Sequence, residues 1–253
     1  MSYAPPYTYC VSHGPFTALR YRLNDIPFYR IEDTAKETGI TESSVADHLL
    51  VPGENTFSFE IYEAQEHYHA TFDLQLDHDR KNHVFEFVWP TVYRRIPAVM
   101  SHPLTYTLSF MMPDFTFRSV FLDATPRTFG PAGDQELHEA VRRFHDTLVR
   151  ADWRGFLDEM RLKRLDLQRA YPGSPILTDE HFERTFAQRF ARGLVVDPID
   201  MNDLRFESCA GGRVAYVTRR DGERPIQALT PEGHGLYHDL WLTYHEGAWR
   251  VFR

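Results

Sequence analysis

The chain has 253 residues, 42% of them hydrophobic and 25% charged, the balance of a packed globular protein of one large or two small domains, not of a disordered one. Its formal net charge is −8, with 10 Lys and Arg against 16 Asp and Glu in residues 1–130 and 18 against 20 in residues 131–253. Neither half has the basic excess that gripping a phosphate backbone needs, so nucleic acid is excluded as the expected partner.

No window approaches ~18 consecutive apolar residues, so no membrane span is expected. The first residues are rich in Pro and Tyr and lack a basic stretch followed by an apolar run, as a secretory leader would have. The two cysteines, Cys10 and Cys209, lie far apart, too few for a disulfide framework. A cytoplasmic location with reduced thiols is the expectation.

Along the chain, residues 16–30 predict two short strands around Asn24-Asp25, a turn-favouring pair. A polar loop is expected at 31–43, then a short helix at 44–50 ended by Pro52-Gly53. From 56 to 63 the pattern alternates strictly, with Phe57, Phe59 and Ile61 on one face and Ser58, Glu60 and Tyr62 on the other, the period of a half-buried strand. Residues 69–77 repeat it through Ala70, Phe72, Leu74 and Leu76; strands are also expected at 83–89, 105–111 and 115–122. Short strands with Pro, Gly and Asp punctuation predict an antiparallel β-sandwich over residues 1–130.

The character changes at 125–135 (TPRTFGPAGDQ), where two Pro and two Gly mark the expected domain boundary. Asp134 can cap a helix whose Leu137, Val141, Phe144, Leu148 and Ala151 share one face. A second helix is expected over 153–170, stopped by Tyr171-Pro172-Gly173, and a third after Thr178 with Phe182, Phe186, Phe190 and Leu194 every four residues. Strands follow at 203–208, 213–219, 236–245 and 248–252. The fold class is therefore α+β, with a second domain at 131–253 built from helices and then an antiparallel sheet.

The runs FHDTLVRADWRGFLDEM at 144–160 and LYHDLWLTYHEGAWRVFR at 236–253 resemble the NTF2-like (SnoaL-like) superfamily. The resemblance implies a curved antiparallel sheet wrapped against helices into a cone with a pocket. Some members use that pocket as isomerases, dehydratases or cyclases, while many others only bind or dimerise through the sheet. The N-terminal half, through LND at 23–25 and VADHLLVPGENTFSFEI at 45–61, is similar to jelly-roll sandwich domains found beside glycoside hydrolase catalytic domains. In that setting such domains are often structural, so no sugar site is carried over.

Histidine is abundant, with 13 copies. His67 and His69, two apart on a strand, lie near Asp73, His78, Asp79 and His83, but the stretch reads as a hairpin tip and no metal is expected. His138 and His145 stand two helical turns apart, about 10 Å, too far to share an ion. No G-x-S-x-G and no glycine-rich phosphate loop occurs, so neither a nucleophile elbow nor a cofactor is expected. The basic run at 161–169 reads as a solvated helix face.

The last hairpin is the place where chemistry can lie. In an unbroken strand over 236–245, Tyr237, Asp239, Trp241, Thr243 and His245 share one face, a polar and aromatic row that a pocket can use. Asp239 against an aromatic wall can act as general base or acid, and Tyr216 and Trp153 can join the lining. The plainer account of the same residues is a Leu236, Leu240 and Leu242 core with the other row facing solvent or a partner.

The expected function is accordingly a non-enzymatic binding or protein-interaction protein, its partner another protein or a second copy through the C-terminal sheet. The alternative is a small-molecule protein or enzyme of the isomerase or dehydratase kind using Asp239, Tyr216, Tyr237, Trp241 and Trp153. A carbohydrate platform on the sandwich would use Tyr62, Tyr93 and Trp89.

Overall fold

The computed structural model describes residues 7–13, 18–31, 41–63, 70–76, 83–89, 104–112, 114–231 and 235–253. The chain is of the α+β class, with antiparallel sheets and four α-helices among those residues. It divides into two units, Ala4–Ser119 and Val120–Arg253.

The N-terminal unit contains β1 (Tyr7–His13), β2 (Ala18–Leu23), β3 (Ile26–Ile31), β4 (Thr41–Val45), β5 (Gly53–Glu63), β6 (Ala70–Leu76), β7 (His83–Trp89) and β8 (Leu104–Met112). They form two antiparallel sheets, β4-β1-β6-β7 and β3-β2-β5-β8. Alternation decides the faces: Tyr9, Val11, Phe72 and Leu74 of one sheet and Tyr21, Phe57, Phe59 and Ile61 of the other are all buried. Their rings meet, Phe57 stacking on Phe72 at 4.4 Å and Phe85 on Phe110 at 4.5 Å. Each fully buried ring of this kind contributes about 1.5–3 kcal/mol.

Asn24 and Asp25 both adopt positive φ, 49° and 66°, the pair of left-handed residues that a two-residue hairpin turn requires. Asn24 does more than turn the chain. Its Nδ2 donates to Leu49 O and to Asn55 Oδ1, both at 2.8 Å, and its Oδ1 accepts from Thr56 N at 3.0 Å. Asn55, fully buried, accepts from Val51 N at 2.9 Å and donates to Val51 O at 2.8 Å and Gly53 O at 3.1 Å. Two side-chain amides thus satisfy the irregular backbone that leads into β5.

On the other face of the second sheet, Glu60 accepts from Arg20 Nε at 2.7 Å, Arg22 Nε at 3.0 Å and Tyr62 Oη at 2.8 Å. Burial raises the Glu60 pKa, but Arg20 and Arg22 outweigh it and hold the carboxyl below its ordinary value. Burial also pushes the Tyr62 hydroxyl up to about 12. Tyr62 is therefore committed to an ion-pair cluster, while Tyr93 and the Trp89 side chain lie outside the described residues.

Two sequence expectations for this unit are corrected. The short helix at 44–50 is replaced by β4 and a single 3-10 turn, Asp47–Leu49. Pairing of Tyr9 with Ser44 holds the chain extended, and Asp47 Oδ2 accepts from Tyr7 N at 3.0 Å. The strand expected at 115–122 is an irregular segment ending in a 3-10 turn, Val120–Asp123.

The C-terminal unit has α1 (Gln135–Val149), α2 (Trp153–Glu159), α3 (Arg161–Ala170) and α4 (Asp179–Ala191), then β9 (Val195–Val196), β10 (Leu204–Cys209), β11 (Val214–Arg219), β12 (Ile226–Leu229), β13 (Gly235–His238), β14 (Leu240–His245) and β15 (Ala248–Val251). Asp134 caps α1 by accepting from Leu137 N at 2.9 Å, and Thr178 caps α4 by accepting from His181 N at 3.2 Å, both as the sequence predicts. The helix expected over 153–170 breaks at Met160. Phe156, Leu157 and Met160 enter the core before the break, and α3 then redirects to bury Leu162 and Asp166. The strands make two antiparallel sheets, β10-β11-β14-β15 and β13-β12-β9.

The boundary falls earlier than residue 130, because segment 120–130 is tied to the C-terminal unit. Val120 N donates to Asp166 Oδ1 at 2.9 Å, Phe121 packs on Phe252 at 5.5 Å, and Thr125 N donates to Tyr244 O. Arg127 N donates to Gly212 O at 2.9 Å. Gly212 is at φ 84°, and a Cβ there would lie 2.5 Å from Arg127 O, so only glycine allows this approach.

Replacing Asn55 by Ala removes the partner of Val51 N–H, of the Val51 and Gly53 carbonyls and of one of the two Asn24 Nδ2 bonds. The expected loss is about 2–4 kcal/mol of stability, measured by urea unfolding, with the Asn55→Asp variant intermediate.

Candidate functional site

The space between helices and sheet in the C-terminal unit is where a pocket was expected, and side chains fill it. Leu204, Phe206, Ala215, Val217, Leu240, Leu242, Trp249 and Val251 point from the four-stranded sheet into one cluster with Leu137, Val141, Phe144, Leu148, Phe156 and Leu157 of α1 and α2. Phe144 lies 5.2 Å from Phe156, which in turn meets Phe186 at 5.0 Å and Phe190 at 5.4 Å. Trp153 is partly buried against this cluster on the helix side, with the Arg154 guanidinium 4.6 Å from its ring.

Tyr216 and Trp241 lie on the opposite face of the sheet. They are register partners in β11 and β14, their rings stack at 5.2 Å, and they are 3% and 4% exposed. Arg253 covers the Trp241 ring at 5.0 Å. On the same face Thr243 Oγ1 donates to Arg213 O at 2.9 Å. The structure thus brings Tyr216 and Trp241 together and sets Trp153 on the other side of the sheet.

Asp239 stands between β13 and β14, at the point where the strand expected over 236–245 passes from one sheet to the other. It accepts from Arg224 Nε at 3.2 Å, and its side chain is 32% exposed. The Tyr237 backbone pairs with Gln227 in β12, a different sheet from that of Trp241; its side chain lies outside the described residues. The expected continuous row is therefore divided.

One group near Asp239 was not singled out by the sequence. Lys163, on α3, keeps part of its side chain accessible. Burial of its ammonium lowers its pKa from 10.5 to about 8; Arg253 pushes the same way and Asp239 opposes. An amine with that value is an acid and a base near neutral pH. The run 161–169 hid it, because a dense Arg and Lys pattern reads as solvated. In the structure the run is largely engaged: Arg161 binds Glu246 at 2.7 Å, Arg164 binds Asp179 at 2.8 Å, and Asp166 is buried under Val120.

A second cluster surrounds Glu159. Arg143 Nε donates to Glu159 Oε1 at 3.2 Å, and Arg250 Nη1 lies 3.9 Å from the same oxygen. Arg143 also donates to Trp249 O at 3.0 Å. A cavity of about 60 Å³ lies beside it, lined by Asp158, Glu159, Arg161, Leu162 and Arg250. That is well under the roughly 300–1,000 Å³ of small-molecule pockets.

His138 bonds Ala132 O at 2.9 Å and His145 bonds Asp197 O at 3.0 Å, so both act on backbone. No group of three His, Cys, Asp or Glu able to hold a metal occurs among the described residues. His67, His69, His78 and Asp79 lie outside them. Among the described residues no helix is long and apolar enough to cross a membrane. Comparison with protein-family models, with curated proteins and with solved structures finds no match in any of the three.

A lysine whose folded-state pKa lies below its unfolded value costs stability while it is protonated. The unfolded chain holds the extra proton between about pH 8 and 10.5, so Lys163 makes stability rise with pH across that window. The Lys163→Met variant is expected to be about 1–3 kcal/mol more stable than the parent at pH 7. The gap should close by pH 10.5, as followed by thermal unfolding of both proteins at each pH.

Proposed function

We propose that this chain is a non-enzymatic binding protein that acts through its surface on another protein or on a second copy of itself. The observation that carries the reading is the filled side of the C-terminal sheet, where Phe144, Phe156, Leu240, Leu242 and Trp249, all buried, occupy the volume a substrate would need. The finer fold reading belongs with it: facing sheets of jelly-roll sandwich type, then an NTF2-like unit of the kind that binds or dimerises instead of catalysing. Helices on one face of a sheet that ends in a Trp249-Arg250 strand support that likeness. Cys10 and Cys209, which form no disulfide, support a reducing, cytoplasmic setting.

The surface best suited to a partner lies on the three-stranded sheet. Val195 and Leu229 are register partners in β9 and β12 and are 64% and 38% exposed. Val149, 57% exposed, stands one helical turn beyond His145, whose ring binds Asp197 O just past β9. Adjacent exposed aliphatic side chains rimmed by polar groups are a feature of interaction sites.

A second reading, a small-molecule enzyme of the isomerase or dehydratase kind, has one observation in its favour. Lys163 and Asp239 interact next to Arg253, an amine and a carboxylate on one side of the sheet.

The Val195→Glu, Leu229→Glu double variant should keep the parent's circular dichroism and melting temperature while losing about tenfold or more in partner capture. Affinity capture of the full chain with quantitative mass spectrometry reads this. Equal capture by both proteins, or catalytic turnover abolished by Asp239→Asn, removes the interaction reading.

A further inference from the structure

We propose that β8 is a self-association edge, where two copies of the chain join strand to strand into one continuous antiparallel sheet. This concerns the N-terminal unit and goes beyond the partner surface assigned to β9 and β12.

Among the described residues the unit has four sheet edges, β3, β4, β7 and β8. An edge strand presents a row of backbone N–H and C=O groups that recruit another strand unless charge, proline or a bulge blocks them. β3 carries Pro27 and Arg30, β4 carries Glu42, and β7 carries His83 and Glu86. β8 is LTYTLSFMM, nine residues with neither a charge nor a proline. Among the described residues, β5 is the strand that pairs with it.

The side chains point the same way. Phe110 and Met112 are buried on the interior face, yet Leu108, on that same face, is 41% exposed. The apolar layer therefore continues past the cover that the unit itself supplies. On the outer face Thr105, Thr107 and Ser109 are exposed, and Thr107 Oγ1 already bonds Ser58 Oγ on β5 at 3.1 Å. A further strand would extend this hydroxyl ladder.

Charge selects a second copy as the occupant. The chain carries −8, most of it in residues 1–130, so two copies repel wherever acidic surfaces approach. Antiparallel pairing about a two-fold axis sets each strand against itself, bringing any charge on it close to its own twin. Of these four edges among the described residues, β8 is the one that brings none. With the axis at Leu108, Leu108 faces its counterpart and Thr107 faces Ser109. The second copy also brings its own apolar layer to cover Leu108, which a bare peptide strand would not.

Sedimentation equilibrium of the full chain over a concentration series tests this. The expected result is a monomer–dimer equilibrium that Leu108→Lys and Thr107→Glu each weaken at least tenfold, with unchanged circular dichroism. Both positions are exposed; if Leu108→Lys fails to fold, Thr107→Glu carries the test. A nitroxide at Ser109→Cys in a Cys10→Ser background should show dipolar broadening in the dimer, because the seam sets the two Ser109 Cα atoms about 8 Å apart. A parent that stays monomeric, open-ended growth in place of a dimer, or a dimer insensitive to both substitutions overturns the proposal. A dimer lost only with the Val195→Glu, Leu229→Glu pair overturns it while leaving the interaction reading standing.

Discussion

A sheet has two faces, and an apolar one has to be covered. In the C-terminal unit the helix-side face is covered by Phe144, Leu148, Phe156 and Phe190, and nearly everything else about the unit depends on that contact. Trp249 sits at its centre, 1% exposed, with Phe129 and Tyr244 edge-on to it, each at 5.5 Å. Such packing is stabilising because it removes large apolar areas from water at close-packed density. It also packs the space between the helices and that face of the sheet.

The polar devices in the two units divide between organising backbone and organising charge. Asn24 and Asn55 satisfy irregular backbone with neutral amides, which can be buried without a Born penalty. Glu60 is held by two guanidiniums and a hydroxyl, and Glu159 by Arg143 and Arg250. A buried ion pair contributes little net stability against an apolar replacement, but breaking one partner leaves a charge stranded. These clusters therefore fix which strands and helices meet more than they deepen the energy minimum. Arg143 does this directly, joining Glu159 at the end of α2 to the Trp249 carbonyl in β15.

Local periodicity was legible and long-range competition was not. The alternation of Phe57, Phe59 and Ile61, the α1 stripe, the caps at Asp134 and Thr178 and the turn at Asn24-Asp25 follow from contacts within a few residues, and all are as expected. The helix expected at 44–50 failed because Ser44 gained a cross-strand partner in Tyr9, which no local window contains. The burial of Asp166 goes with its bond to Val120, 46 positions away. Lys163 was hidden for the same reason: its unusual acidity comes from what lies over the helix, not from the helix's own pattern.

The candidate site shows most clearly how one local departure redirects a functional reading. A row at 237, 239, 241 and 243 shares a face only while the strand runs unbroken, because the two-residue period is counted along one pleat. At Asp239 the chain leaves the sheet of β12 and enters that of β11 and β15. Tyr237 and Trp241 then belong to different sheets, and Asp239 is drawn to Arg224. What remains of the row, Trp241 with Tyr216, is closed over by Arg253. Asp239 is the single residue between β13 and β14, where the chain passes between the sheets. Its carboxylate is then already engaged by the Arg224 guanidinium. Apolar side chains that reach solvent include Val195, Leu229, Val149 and Ile176 in one unit and Leu108 and Met111 in the other.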